Sequence, residues 1–249
     1  MLRTVMGEIV SVVTHVARYP AAVGRRWTIA THRPPSVLTR PLVVLPGLAD
    51  NMSIFTELKQ ALPGPIVSFS YSPLIGDVRA AARRLAEQIE ELCTVAGVSK
   101  VDLVGHSLGG LIARYYVQRL DGDTRVENVV TIATPHRGTM TAWLLSPWPL
   151  VRQLRPGSDL LRELAEPAAG CATRFVAFSS TADALVLPAR NAQLEHPDLE
   201  VRNVVAAGVG HLALAAHRDV LAEIRTLLAP ERERAEPAGN DGDSVPRSA

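Results

Sequence analysis

The chain has 249 residues, 47% of them hydrophobic and 20% charged, with a formal net charge of +1. That balance suits one globular core and offers no broad attraction to a phosphate backbone, so no nucleic-acid partner is expected. Cys93 and Cys171 form no C-x-x-C pair, which argues against a zinc or dithiol site; Cys93 reads as a small apolar core residue, and whether the two are bonded stays open.

In chain order, Val5, Ile9, Val12 and Val16 recur at helical spacing, with Thr4, Glu8, Ser11 and His15 on the other side. This predicts an amphipathic helix over residues 3–18 packed on the domain, with a cleaved signal or a membrane-surface helix as alternatives. No apolar run is long enough to cross a bilayer. "TIATHR" (28–33) reads as an edge strand, and "PLVVLPG" (41–47), "PIVSFSY" (65–71), "VDLVGHS" (101–107), "ENVVTIAT" (127–134), "RFVAFSS" (174–180) and "VRNVVAAG" (201–208) as buried strands. Their Val/Ile-rich runs lack strict alternation, as parallel strands covered on both faces do. Between them, residues 77–95 form a helix with Asp77 as N-cap, residues 108–120 a second, and residues 212–228 a closing one. This alternation predicts an α/β fold with a mostly parallel central sheet flanked by helices.

Residues 138–170, holding Trp143 and Trp148, fit neither a short loop nor one crossover helix, and two short inserted helices account for them. The expected organisation is a single domain over 1–230 with this segment as a cap or lid, followed by a charged, Gly/Pro-rich disordered tail over 231–249.

The segment Gly105-His106-Ser107-Leu108-Gly109 joins a strand to a helix, the context that gives G-x-S-x-G its meaning. Such a turn strains the serine backbone and lifts its hydroxyl to the carboxyl edge of the sheet, beside the free amides of a helix N-terminus. A hydroxyl is a weak nucleophile and needs a base and an orienting carboxylate, which in this arrangement follow in the order acid, then histidine. Asp183, beyond "RFVAFSS", and His211, beyond "VRNVVAAG", both fall at strand carboxyl ends. Among rivals, His106 is expected to pack or hydrogen-bond within the elbow and His136 to shape the site. His196 lies in a polar loop and His217 one or two turns into the last helix. Asp198 is the rival acid, but it precedes the last strand. The amides of Leu108 and of Leu48, after Gly47, are the candidate oxyanion donors.

Through "LPGLADN", "GHSLGG", "TPHRGT", "SSTADALVLP" and "GVGHLAL" the chain resembles the α/β-hydrolase family, in its bacterial lipase/esterase branch, over most of residues 41–215. The resemblance implies a catalytic triad of Ser107, Asp183 and His211 with Leu48 and Leu108 as oxyanion donors. One departure is Pro46-Gly47, where members often carry His-Gly, so the hydrogen bonds of that histidine are lost. Some bacterial lipases hold calcium, but no ligand set is evident, and neither a metal nor a cofactor is expected. Trp143, Leu144, Leu145 and Trp148 of the cap are the candidate substrate-binding residues, as an acyl pocket or a lipid-contact surface; the plain alternative is a pair of helices covering the core.

The expected activity is serine carboxylic ester hydrolysis of apolar acyl esters. The alternatives are acyl transfer or thioester cleavage by the same triad, or a non-catalytic binding protein of that fold. The expected partner is a small ester or lipid, with lipid-interface contact through the cap or the N-terminal helix. The expected location is the cytoplasm, with secretion or membrane association as alternatives.

Overall fold

The computed structural model describes residues 28–30, 40–48, 55–62, 65–71, 76–144 and 148–233. The expected N-terminal helix lies outside them, as does the tail beyond residue 233.

Among the described residues, seven strands form one sheet: β1 (Thr28–Ala30), β2 (Leu42–Leu45), β3 (Ile66–Ser68), β4 (Val101–His106), β5 (Val126–Ile132), β6 (Arg174–Ser180) and β7 (Glu200–Ala206). Their order is β1-β3-β2-β4-β5-β6-β7, with β1 antiparallel to β3 and every other pair parallel. The helices are α1 (Thr56–Ala61), α2 (Val78–Ala96), α3 (Leu108–Arg119), α4 (Pro149–Arg152), α5 (Asp159–Ala165) and α6 (Arg218–Glu233).

Each central strand feeds two cores because successive side chains point to opposite faces. Val43, Leu45, Leu103, Val129 and Phe175 meet α2, α3, α4 and α5 on one side, packing on Leu85, Ile112, Leu150 and Leu164. Leu42, Val44, Val104, Val130 and Phe178 face the other side, against Phe55 and Leu58 near α1 and Val220, Ile224 and Leu228 of α6. Asp77 caps α2 as expected, its carboxylate accepting the Arg79 amide at 3.0 Å. Cys93 is buried in the first core, and both cysteines are free thiols.

Two expectations need correction. "VRNVVAAG" forms a strand, but not a buried one: β7 is the sheet edge, and its residues are exposed or half-buried. With a partner on one side only, its Val-rich run resembles that of a central strand without sharing its cover. The closing helix begins later and runs further than 212–228. A 3₁₀ turn at Ala213–Ala216 precedes α6, and His217, extended at φ −71° and ψ 126°, stands at the break rather than inside the helix. The inserted segment carries a 3₁₀ turn at Met140–Trp143 in addition to two short helices, α4 and α5.

Candidate active site

The site residues come from loops at the carboxyl ends of parallel strands: Leu48 after β2, Ser107 after β4, Asp183 after β6 and His211 after β7. Ser107 has φ 51° and ψ −118°, a left-handed conformation that costs a non-glycine residue about 1–3 kcal/mol. Neighbouring main chain enforces it. The Ser107 amide donates to Ile132 O at 2.8 Å, continuing the β4–β5 ladder into the turn. A Cβ on Gly105 would lie 2.5 Å from Gly110 N, and one on Gly109 only 2.3 Å from Leu45 O and 2.7 Å from Pro46 O. The turn is therefore closed by backbone against backbone, and the start of α3 touches the end of β2. Ser107 Oγ makes no capping bond to the first turn of α3, so the hydroxyl is not consumed by the helix it opens.

Asp183 and His211 form a buried pair, with His211 Nδ1 donating to Asp183 Oδ2 at 2.8 Å. The other carboxylate oxygen, Oδ1, accepts the amides of Leu185 and Val186, both at 2.8 Å. Burial pushes the Asp183 carboxyl up, but the charge and hydrogen bond of His211 and the two amides outweigh it and hold the carboxyl below its usual range. With Nδ1 engaged, Nε2 is the nitrogen left for proton transfer. Ser180 Oγ ties the acid turn to the histidine loop, donating to Val209 O at 2.5 Å and accepting the Ala182 amide at 3.2 Å.

His106, next to the serine, is fully buried and packs edge-on against His211, with ring centroids 4.9 Å apart. Its Nε2 lies 3.2 Å from His211 O, so it steadies the main chain of the neighbouring histidine. His136 is also buried, with Nε2 2.9 Å from Thr131 Oγ1. Burial, then the nearby Arg114 and Arg137, hold its pKa well below the ordinary imidazole value, which makes it a neutral structural group. His196 packs Nε2 against Glu166 O at 3.0 Å, and Asp198 accepts the Ala168 amide at 2.8 Å. Neither rival faces a partner that would activate a nucleophile.

The oxyanion candidates sit at two backbone ends. Leu108 opens α3, where the first amides of a helix lack intrahelical acceptors. Leu48 lies in the half-buried turn after β2. Pro46 takes the place where the resembled family often has histidine, and Tyr71 steadies that loop, its hydroxyl donating to Pro46 O at 2.9 Å. Sequence reading misses this tyrosine because its acceptor is a main-chain carbonyl 25 residues away.

Trp143 and Leu144 are 55% and 73% exposed, Trp148 packs half-buried against the core, and Leu145 lies outside the described residues. The Arg155 guanidinium lies 4.1 Å from the centre of the Trp143 ring, a cation–π contact on the cap surface. Among the described residues, no group of three or more His, Cys, Asp or Glu is arranged to hold a metal ion. No helix among them is long and apolar enough to cross a membrane.

A mostly parallel sheet covered on both faces, a strained serine at a strand-to-helix turn and an Asp–His pair at neighbouring strand ends together define an α/β-hydrolase fold. The model of the palmitoyl protein thioesterase family matches residues 41–168, and the chain belongs to that family. Triacylglycerol lipases of Pseudarthrobacter phenanthrenivorans and Burkholderia plantarii are each 39% identical over 56 residues, 22% of this chain. Those matches span only 17% and 15% of the two lipases' own lengths. Among solved structures, the mature lipase BlEst2 of Bacillus licheniformis shares the fold with a TM-score of 0.69 and 17% identity, over 82% of this chain and 99% of that one.

Proposed function

We propose that the protein is a serine carboxylic ester hydrolase that cleaves apolar acyl esters through Ser107, His211 and Asp183. The buried 2.8 Å pairing of His211 Nδ1 with Asp183 Oδ2, at the same rim of the sheet as the elbow serine, carries this reading. His211 Nε2 takes the Ser107 proton as Oγ attacks the acyl carbonyl, while Asp183 stabilises the imidazolium that forms. The amides of Leu48 and Leu108 donate to the developing oxyanion, each contributing about 3 kcal/mol. The tetrahedral adduct collapses, the leaving alcohol takes the proton from His211, and water repeats the sequence on the acyl-enzyme.

The relatives named as lipases and the family's thioesterase name both point to an activated acyl group as substrate. In this reading residues 1–230 act as one catalytic domain, and Trp143 and Leu144 offer the cap's apolar contact to a long acyl chain or a lipid surface. The cytoplasm is the expected location, and the two free thiols suit reducing surroundings.

The test is turnover of p-nitrophenyl esters of increasing acyl length, beside thioesters of the same acids, by the protein and by Ser107→Ala. Turnover is expected to fall by about five powers of ten in the variant, with fluorophosphonate labelling of Ser107 lost. An unlabelled serine in folded protein, or unchanged turnover in the variant, rejects the proposal. Faster cleavage of the thioester than of the matched ester moves the substrate class and keeps the machinery.

A further inference from the structure

We propose that Thr139 and Thr141, at the root of the cap, are positioning residues that clamp the Asp183 loop and so hold the carboxylate on His211. The inference rests on the Ser107–His211–Asp183 reading of the site, and it adds two residues that make no contact with the triad side chains among the described hydrogen bonds.

Both threonines are buried. Thr139 Oγ1 donates to Leu185 O at 2.7 Å, and Thr141 Oγ1 donates to the same oxygen at 2.6 Å. Each hydroxyl has one hydrogen, so these two bonds use both and fill both lone pairs of the carbonyl. The 3.0 Å approach of the hydroxyls to each other is then a packing contact. With its lone pairs, Thr139 Oγ1 accepts the Leu187 amide at 2.8 Å, and the Met140 amide donates to Leu187 O at 2.9 Å. Four bonds therefore join residues 139–141 to residues 185–187.

The consequence for Asp183 follows from peptide geometry. Leu185 C=O and Val186 N–H belong to one planar unit. The threonine hydroxyls hold its oxygen end, and its N–H end donates to Asp183 Oδ1 at 2.8 Å. Pinning the carbonyl fixes the tilt of the plane and with it the direction of that N–H. It also polarises the peptide, which strengthens the bond the N–H donates. Asp183 Oδ1 is thus oriented from behind while Oδ2 meets His211. Removal of the hydroxyls leaves Leu185 O and the Leu187 amide, both on half-buried residues, without these partners, and the loop relaxes to find others.

The experiment uses the full chain with Thr139→Val/Thr141→Val, the corresponding serine variants, and Asp183→Ala with and without the valines. Thr141→Val alone removes a single bond and is read in the same way if the double variant does not fold. Two readouts are independent: steady-state kinetics on a soluble p-nitrophenyl ester, and the low-field proton resonance of His211 Nδ1–H. The valines are expected to lower kcat about tenfold or more with KM nearly unchanged, the cost of a slightly misplaced catalytic group. They are also expected to shift or broaden the His211 resonance. Serine at both positions should restore both readouts, and in the Asp183→Ala background the valines should cost nothing further in kcat. Wild-type kcat, an unmoved resonance, or the same loss without the Asp183 carboxylate would overturn the clamp. If wild-type hydrolysis does not depend on Ser107, the esterase reading fails, while the resonance still decides the clamp.

Discussion

At the scale of single residues, the site concentrates conformations and charges that stability alone would avoid. Ser107 holds a left-handed backbone although it has a Cβ, because Gly105 and Gly109 let neighbouring main chain press on the turn. Asp183 is buried, yet its ionised form is favoured by His211 and two amides. That has a consequence for stability. A carboxyl whose folded pKa lies below its unfolded value, about 3.9 for aspartate, stabilises the fold above that value. The contribution is lost as pH falls through the lower, folded value. Asp183→Asn keeps the volume and removes the titration. The stability advantage of the wild type over Asp183→Asn, measured by urea denaturation across a pH series, is expected to shrink as pH falls below about pH 4. Parallel curves through that window would mean that the Asp183 carboxylate is not held by its partners in the folded state.

At the scale of elements, the inserted segment divides into two parts of different character. Residues 149–165 belong to the body: Leu150, Val151, Leu160, Leu161 and Leu164 are buried in the first core. Polar bonds fasten the same stretch to neighbouring helices. The Val78 amide at the start of α2 donates to Gln153 Oε1 at 3.1 Å. Glu163 accepts from Arg79 Nε at 3.1 and 2.9 Å and from the Tyr115 hydroxyl at 3.1 Å. Trp143 and Leu144 carry the exposed apolar surface instead. Tryptophan, leucine and proline density marks the insertion in the sequence but does not distinguish these halves, since both are apolar. The distinction depends on which polar side chains reach α2 and α3. Glu163→Gln retains the shape and removes the charge from a pair that is partly solvent-screened, Arg79 and Glu163 being 22% and 33% exposed at the side chain. The expected loss is about 1 kcal/mol, or about 2–4 °C in Tm, measured by thermal denaturation. An unchanged Tm would make apolar burial alone the tether of α5.

Across the whole molecule, legibility follows the range of each interaction. The central strands, α2, α3 and the elbow are readable because apolar runs, helical spacing and glycine placement are local signals. The pair Asp183 and His211 is readable because an elbow serine and strand ends restrict where partners can lie. Helix α1 escapes notice, since six residues give too little period to detect, and the exposure of β7 depends on sheet order rather than on its own residues. Least legible are side chains bonded to distant main-chain carbonyls, which leave no complementary side chain in the sequence. Arg114 is the strongest case. It is buried in α3 and donates from Nε to Gln118 Oε1 at 2.6 Å, from Nη1 to His136 O at 3.3 Å and from Nη2 to Leu164 O at 2.8 Å. The last two bonds join the elbow helix to the loop after β5 and to α5, while the first is internal to the helix. Burial, and then the like charge of Arg119, push its guanidinium down to about 9, still cationic at neutral pH. A planar fork reaches three diverging acceptors, whereas a lysine ammonium gathers its donors at one point. Arg114→Lys is therefore expected to recover little of what Arg114→Ala loses, about 3 kcal/mol for a buried site left with unmatched acceptors. Urea denaturation measures both variants. Near-wild-type stability of the lysine variant would mean that one charge at this position suffices, and that the fork does not bind the three segments together.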